Sequence, residues 1–423
     1  MKFQTPRGTR DILYPEVEFR NYIFEKSREL FEIYGFKEIV TPTFERTEVF
    51  TKGIGEASDI VSKEMYTFKD RKGRSLTLKP EGTAPVVRAF LQNKMYGKPL
   101  PVKLYYCSQM FRYERPQAGR SREFSHVGVE ILGTPDPLAD VETISLVMNL
   151  YKELEIDQTK LLINSMGCRN CRKSYLIDLK EFLKLKIKNL CEDCNFRLEK
   201  NPLRVFDCKN KRCRQILSKA PILKNYICDE CSNHFKNVLK GLENLDIKYN
   251  LDDRLVRGFD YYTKTVFEVT APKLGAQDAI CGGGRYDYLI EDYGGPPTPA
   301  VGVAVGVDRT TQVMMNTGIK PFSEKNILVF IVATNNIAKE KAVILLDSLR
   351  KNKIPSEMDY KNRSLKGQFR MADRLNAKFT LILGENELAF NEISVKEMET
   401  GKQYTIDCNK IIDYLKEKMR ESK

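Results

Sequence analysis

The chain has no apolar run approaching the roughly 18 residues that a membrane span requires, and its opening stretch, MKFQTPRGTRDILYPE, carries no apolar segment of the secretory-signal kind. Membrane and secreted classes are therefore set aside, and a cytoplasmic setting is expected. No internal repeat or low-complexity tract is visible, which removes repeat architectures. GxxxxGK[ST] is absent, so a P-loop is ruled out. Acids are in deficit, 57 against 70 Lys and Arg, and the resulting net charge of +13 with a pI near 9.0 favours a polyanionic partner such as RNA or DNA. The 11 cysteines are an odd number without a signal peptide, which argues against a disulfide framework and for reduced thiols or metal ligands.

At 423 residues the chain is long enough for two or three domains. Phe19, Ile23, Leu30 and Tyr34 recur at helical spacing over 17–34, with Gly35 placed as a C-terminal cap, so a helix over a sheet is expected there. FKEIVTPTFE reads as extended chain that Pro42 confines to an edge or boundary. Residues 102–113 and 122–132 read as an antiparallel strand pair. From Cys168 to about Phe235 strand signals vanish and Lys-rich helical patterns take over, as in an inserted subdomain. Strands resume at TKTVFEV and DAICGGGRYD, and AVGVAVGVDR leads into a helix. Near Glu324 a second unit with an α/β rhythm begins, with NILVFIVA and TLILG as strands.

Between the paired strands lies FRYERPQAGRSREFSHVGVE, residues 111–130, with four arginines and three glutamates. On a strand, residues two apart share a face, so Arg122, Phe124, His126 and Glu130 are expected to point together, with Gly128 leaving a gap for something bulky. On the partner strand Arg112 and Glu114 also share a face, so the hairpin can present all these groups around one vacancy. This set suits a ligand with both phosphate and amine, because arginine forks onto phosphate, carboxylates bind ammonium and an aromatic face stacks on a base. A solvated hairpin of salt bridges would use the same residues. Four further stretches carry chemistry: LTLKPEGTAPVVRAF, where Glu81 and Thr83 open a helix; RLVRGFDYY, crowding Arg257, Tyr261 and Tyr262 around a glycine; CGGGRYD, which lacks Rossmann context; and AVGVAVGVDR, with Arg309 at a strand-to-helix junction.

FRYERPQAGR with REF resembles motif 2 of the class II aminoacyl-tRNA synthetases, AVGVAVGVDR resembles their motif 3, and Pro42 sits as the motif 1 proline would. RLVRGFDYY and GGGRYD resemble the signature peptides of the histidyl-tRNA synthetases, with LKPEGTAPVVRA and PRGTRDIL also similar, so the likeness spans essentially the whole chain. It implies an α+β fold: a six-stranded antiparallel class II sheet flanked by helices (1–167 and 239–322), a cysteine-rich helical insertion (168–238) and a C-terminal α/β anticodon-binding domain (326–423). It implies activation of L-histidine by ATP, with Mg²⁺, to histidyl-adenylate, then transfer to the 3' end of tRNA(His), by a homodimer. Arg112 and Arg257 would contact the α-phosphate and the histidine carboxylate, and Arg309 the γ-phosphate. Glu114 and Phe124 would hold adenine, Glu81 and Thr83 the amino group of histidine, and Glu130 and Tyr262 its imidazole, with Tyr261 and Tyr286 lining the pocket. His126 and Ser125 stand where the family usually has glutamine and histidine, Asp308 and Thr310 where Glu and Leu are usual, and Tyr288 where glycine is common. The contact expected at 126 must then come from an imidazole.

Eight cysteines remain in the insertion: Cys168 and Cys171, Cys191 and Cys194, Cys208 and Cys213, Cys228 and Cys231. Three of these pairs are CxxC, and two zinc ions with four thiolates each would use all eight. A redox role lacks the βαβ context it needs. The insertion's Lys and Arg are expected to face the acceptor arm of tRNA. Cys107, Cys281 and Cys408 read as core, and His234 as a helix-surface residue. Two rivals are a non-aminoacylating synthetase-like regulatory subunit of histidine biosynthesis, which typically lacks the tail and weakens RLVRG, and a zinc-dependent RNA-binding module, which leaves Glu81, Glu130 and Tyr262 unexplained.

Overall fold

The computed structural model describes residues 3–55, 58–115, 120–208, 210–272, 274, 278–319 and 327–421. The chain divides into two units, 1–322 and 323–423. In the first, the order is α1 (Glu16–Ile33), β1 (Lys37–Glu38), β2 (Phe44–Arg46), α2 (Thr47–Ile54), β3 (Thr67–Lys69), β4 (Ser75–Leu78), α3 (Thr83–Gln92), β5 (Val102–Phe111), β6 (Glu123–Leu132), α4 (Pro137–Glu153) and β7 (Lys160–Ser165). Four helices follow without a strand: α5 (Arg169–Lys184), α6 (Glu192–Lys200), α7 (Lys211–Leu217) and α8 (Asp229–Asn244). The unit closes with β8 (Tyr249–Leu251), β9 (Thr263–Thr270), β10 (Ala279–Arg285), α9 (Leu289–Asp292), β11 (Ala300–Gly306) and α10 (Val307–Thr317).

Among the described residues the main sheet has eight strands in the order β1-β5-β6-β11-β10-β9-β7-β8. The inner six pair antiparallel, as the class II resemblance implies. β1 and β8 add parallel edges, two and three residues long, too short to show a period in sequence. β5 and β6 lie within the strands expected at 102–113 and 122–132, with Arg112 and Glu114 just past the end of β5.

Alternation along the strands separates two environments. Val127, Val129 and Ile131 of β6, Val301, Val303 and Val305 of β11, and Phe267 and Val269 of β9 face one core with α1, α4, α8 and α10. α1 buries Phe19, Ile23, Leu30 and Phe31 there, each worth about 1.5–3 kcal/mol, and ends at Gly35, whose φ of 81° is left-handed. α4 starts cleanly because Asp136 accepts from Leu138 N at 2.8 Å and Pro137 occupies its first turn. The opposite face meets α3, the aromatic 259–262 segment and the insertion, whose Leu198, Leu203, Val205 and Leu217 belong to that same cluster. A small sheet, β2-β4-β3, completes the unit.

The second unit contains β12 (Val329–Ala333), α11 (Asn336–Lys351), β13 (Ser356–Met358), α12 (Leu365–Arg374), β14 (Phe379–Leu383), α13 (Glu385–Phe390), β15 (Glu392–Glu397), β16 (Gln403–Asp407) and α14 (Ile411–Glu421). Its sheet runs β13-β12-β14-β15-β16, parallel across the first three strands and antiparallel across the last three. β12 and β14 fall on the stretches NILVFIVA and TLILG read as strands, and both are buried along most of their length.

Candidate active site

The non-core face of the sheet is the floor of a cleft of about 1240 Å³. Pairing sets Tyr106, Gly128, Ala304, Gly282 and Glu268 side by side across five strands. Three small residues in the middle leave the floor bare, and side chains from elsewhere lie flat upon it. The Arg257 guanidinium covers Gly282, where any Cβ would collide with it, and Glu130 covers Gly302 in the same way. The gap expected over Gly128 is not open to a ligand, because the ring of Tyr106 on the neighbouring strand fills it.

Eleven of the sequence-named site residues line the cleft: Glu81, Thr83, Arg112, Glu114, Phe124, His126, Arg257, Tyr261, Tyr262, Tyr286 and Arg309. Glu130 lies just beneath the wall, fully buried, accepting from Thr83 Oγ1 at 2.7 Å and from the Tyr286 hydroxyl. Arg122 does not join them. It stacks on Tyr113 at 3.7 Å and donates to the backbone oxygens of Glu114 and Arg7, because the chain turns out of β6 just before Glu123.

Each charge is held at a definite point. Glu81 accepts from Thr83 N at 2.7 Å and Ala84 N at 2.8 Å, satisfying orphan donors of the first turn of α3. Burial raises its pKa against those bonds. Burial also pushes Glu130 up to about 8, opposed by the Tyr286 and Thr83 hydroxyls and helped by the charge of Glu81. Arg112 donates to Pro80 O at 2.9 Å, and its guanidinium lies 5.3 Å from the ring of Phe124 and 5.8 Å from that of Phe259. Glu114 sits between Arg112 at 3.7 Å and Arg120 at 2.7 Å. Arg257 pairs with Glu268, and Arg309 donates to Ala279 O at 2.7 Å. Burial, and the charges of Arg112, Arg309 and Arg257, drive the His126 pKa down to about 3, so this imidazole is neutral. Its Nδ1 is buried with no hydrogen-bond partner among the described residues. Tyr261 stacks on Phe259 and meets Tyr262 and Tyr286 edge-on or tilted, forming an aromatic side wall. Three guanidiniums and two buried carboxyls around one cleft, with a tyrosine wall, can hold a polyphosphate and a small amine-bearing molecule together.

A histidyl-tRNA synthetase model matches residues 8–170 and 203–310, and an anticodon-binding-domain model matches 328–418. The chain belongs to the histidyl-tRNA synthetase family. It is 48% identical over 423 residues to a histidine–tRNA ligase of Geobacillus sp. (strain WCH70), covering 99% of this chain and 100% of that one. Against the Natranaerobius thermophilus histidine–tRNA ligase it is 45% identical over 418 residues, covering 99% of each. The apo histidyl-tRNA synthetase of S. aureus superposes with a TM-score of 0.81 at 40% identity, covering 97% of this chain and 99% of that one.

Two of the positions that depart from the family pattern, Asp308 and Ser125, satisfy each other. Asp308 accepts from Ser125 N at 2.7 Å and pairs with Arg20 at 2.6 Å, and Arg20 also donates to Ser125 Oγ at 2.8 Å. Tyr288 receives the Arg169 guanidinium at 4.2 Å, tying it to the insertion. Tyr106, Glu268 and Phe259 line the site without having been read from sequence. Nothing local marks Tyr106, since only the register opposite Gly128 brings its ring to the cleft.

His234 is not on the surface. It is buried, with Nε2 3.4 Å from Asp140 Oδ1, which also pairs with the fully buried Arg285 of GGGRYD. Burial pushes the Asp140 carboxyl up, but the charge of Arg285 and the hydrogen bond with His234 outweigh it and hold its pKa below the usual carboxylate range. Cys281 is buried as expected, while Cys107 and Cys408 are half-buried.

The insertion cysteines gather into two groups, Cys168, Cys171, Cys228 and Cys231, and Cys191, Cys194, Cys208 and Cys213, with sulfurs within 4.8 Å of one another in each. Such a set suits a soft divalent ion in tetrahedral geometry. The insertion also walls the cleft: Phe206 and Arg214 line it, and Arg254 at its rim donates to the carbonyls of Ala220 at 2.7 Å and Pro221 at 3.0 Å.

Proposed function

We propose that the cleft binds L-histidine and ATP side by side and joins them as histidyl-adenylate, and that the chain then transfers histidine to the 3' end of tRNA(His). The observation that carries this reading is the gathering of Arg112, Arg257 and Arg309 with the buried Glu81–Thr83–Glu130 group around one glycine-lined floor. A histidine carboxylate oxygen attacks the α-phosphorus while the bond to the pyrophosphate oxygen breaks in line. Arg112 and Arg257 stand to neutralise the negative charge that builds on the α-phosphoryl oxygens, and Arg309 to hold the departing polyphosphate. Phe124, held between Arg112 and His126, offers a stacking face for adenine beside Glu114. An imidazole N–H of the substrate would take over one oxygen of Glu130 from Thr83 or Tyr286, beside Tyr262. His126, being neutral, would serve as a hydrogen-bond partner and not as a cation. Mg²⁺ arriving with ATP would find the carboxylates of Glu114 and Glu268, hard oxygen ligands suited to it, and would add positive charge to the phosphates.

In this reading 1–167 and 239–322 form the catalytic domain, 168–238 the insertion and 326–423 the anticodon-binding domain. The protein would act in the cytoplasm as a homodimer; Val40 and Phe44, flanking Pro42, are 86% and 49% exposed and would be covered by the second copy. The regulatory-subunit alternative is disfavoured by full-length similarity to histidine–tRNA ligases and by the intact tail. The deciding experiment is histidine-dependent exchange of pyrophosphate into ATP. No exchange above the histidine-free blank, in protein that binds tRNA, would sink the reading.

A further inference from the structure

The two cysteine groups are built alike. Cys168, Cys191 and Cys228 each stand at a helix N-cap, of α5, α6 and α8, and Cys171, Cys194 and Cys231 follow one turn inside. Cys213 holds the same place in α7, whose N-cap is taken by Asn210. Helix N-termini favour thiolate, and the first group brings two such ends together, those of α5 and α8. Sulfur separations are 3.5 Å for Cys168 and Cys171, 3.8 Å for Cys171 and Cys231, and 3.7 Å for Cys191 and Cys208. A disulfide needs about 2.05 Å, whereas four sulfurs about 2.3 Å from one tetrahedral ion lie about 3.8 Å apart. Backbone amides back the sulfurs across each group, Cys228 N to Cys171 Sγ at 3.1 Å and Cys191 N to Cys213 Sγ at 3.3 Å.

The two groups brace different things. The first joins the point where the chain leaves β7 to the point where it enters α8, and so staples the base of the insertion. The second closes the loop between Cys194 and Cys208, and that loop grips the active-site peptide. Buried Arg204 donates to the backbone oxygen of Arg257 at 3.0 Å, and Asn201 donates to Asp260 at 2.7 Å. Leu198, Leu203 and Val205 pack this loop into the cluster on the cleft side of the sheet, and a metal cross-link would fix its two ends.

We propose that the eight cysteines form two four-thiolate sites for a thiophilic divalent ion such as zinc, and that the Cys191–Cys194–Cys208–Cys213 site holds Arg257 in position through Arg204. Arg204 is a positioning residue, since its hydrogen bond goes to the backbone oxygen of Arg257 and not to the guanidinium. This part rests on the reading of Arg257 as the α-phosphate ligand; the metal sites do not. It adds an effect on adenylation to the expectation that the insertion's Lys and Arg face the acceptor arm of tRNA.

The test uses the full chain purified under reducing conditions. Elemental analysis should find two zinc ions per chain, falling to one in Cys171→Ser and in Cys194→Ser, and cobalt exchanged into the wild type should show thiolate charge-transfer bands for two tetrahedral four-sulfur sites. Metal-free wild type overturns the sites. In pyrophosphate exchange, Cys194→Ser and Arg204→Met should each lower kcat about 10- to 100-fold with KM values nearly unchanged. Cys171→Ser should stay within about threefold, Arg204→Met should keep both ions, and Arg204→Lys should regain part of the rate. The double variant Cys194→Ser/Arg204→Met should be no slower than the worse single one; multiplied losses overturn the coupling. Should Cys194→Ser fail to fold, a wild-type rate in two-zinc Arg204→Met overturns it equally. A wild type with two zinc ions and no exchange at all would remove the functional reading and leave the sites standing.

Discussion

Glu130→Gln separates the chemistry of this site from its stability. The carboxyl is fully buried, its oxygens accept from Thr83 and Tyr286, and no cation is paired with it among the described residues. Burial raises its pKa from 4.5 to about 8. Between those values the folded protein binds a proton that the unfolded chain releases, so stability is fully present below pH 4.5 and lost as pH rises towards 8. At about 1.36 kcal/mol per pH step, the cost above pH 8 has an upper limit of roughly 5 kcal/mol. Glutamine carries no charge, so it escapes this cost, but its amide nitrogen cannot accept from the Tyr286 hydroxyl, a loss of about 1 kcal/mol. The variant should therefore be slightly less stable than wild type at pH 5 and more stable at pH 9, read as urea midpoints at both values. In pyrophosphate exchange at pH 9, where the Glu130 carboxyl is ionised, the KM for histidine should rise about 10- to 100-fold, as expected for a charge-assisted contact worth about 1.5–3 kcal/mol, with the KM for ATP within about threefold. Parallel stability profiles would refute the burial argument. A raised KM for ATP with that for histidine unchanged would exchange the roles of Glu130 and Glu114.

Arg257→Ala should cut exchange about 10²- to 10³-fold, the usual cost of one preorganised transition-state donor, with circular dichroism unchanged; a rate within tenfold of wild type would remove it from the chemistry. Deleting 323–423 should spare histidine activation and depress aminoacylation, as expected if the tail reads splayed anticodon bases by stacking and edge hydrogen bonds, whereas equal loss of both would make the tail a support of the fold. His126→Gln should flatten the acid side of the stability profile. The folded-state pKa of about 3 lies below the ordinary 6.5, so the unfolded chain binds more protons in that window and wild type weakens as pH falls through it. Equal losses of urea midpoint between pH 7 and pH 5 in both proteins would contradict this.

Local patterns were legible because they need no partner. The 3.6-residue period and Gly35 marked α1. The peptides carrying Arg112, Arg257 and Arg309 could be read because each presents its charge beside glycine or a strand end, a local arrangement. Eight cysteines in four close pairs signalled metal, but not which pair faces which: Cys171 and Cys231 are 60 positions apart and meet only because α5 and α8 converge. Register decided the rest. A one-residue slip of β5 would move Tyr106 from above Gly128 to the opposite face of the sheet, and nothing in KLYYCSQM distinguishes it from Tyr105, which is core. Burial decided the protonation of Glu130 and His126 and moved His234 from a helix surface to Asp140. The amino-acid sequence by itself determined which chemical groups this protein carries and which short segments present them, since capping, periodicity and strand alternation act within a few residues. Only the tertiary structure decided what those groups face, because desolvation, ion pairing and the four-sulfur clusters depend on atoms brought together from distant parts of the chain.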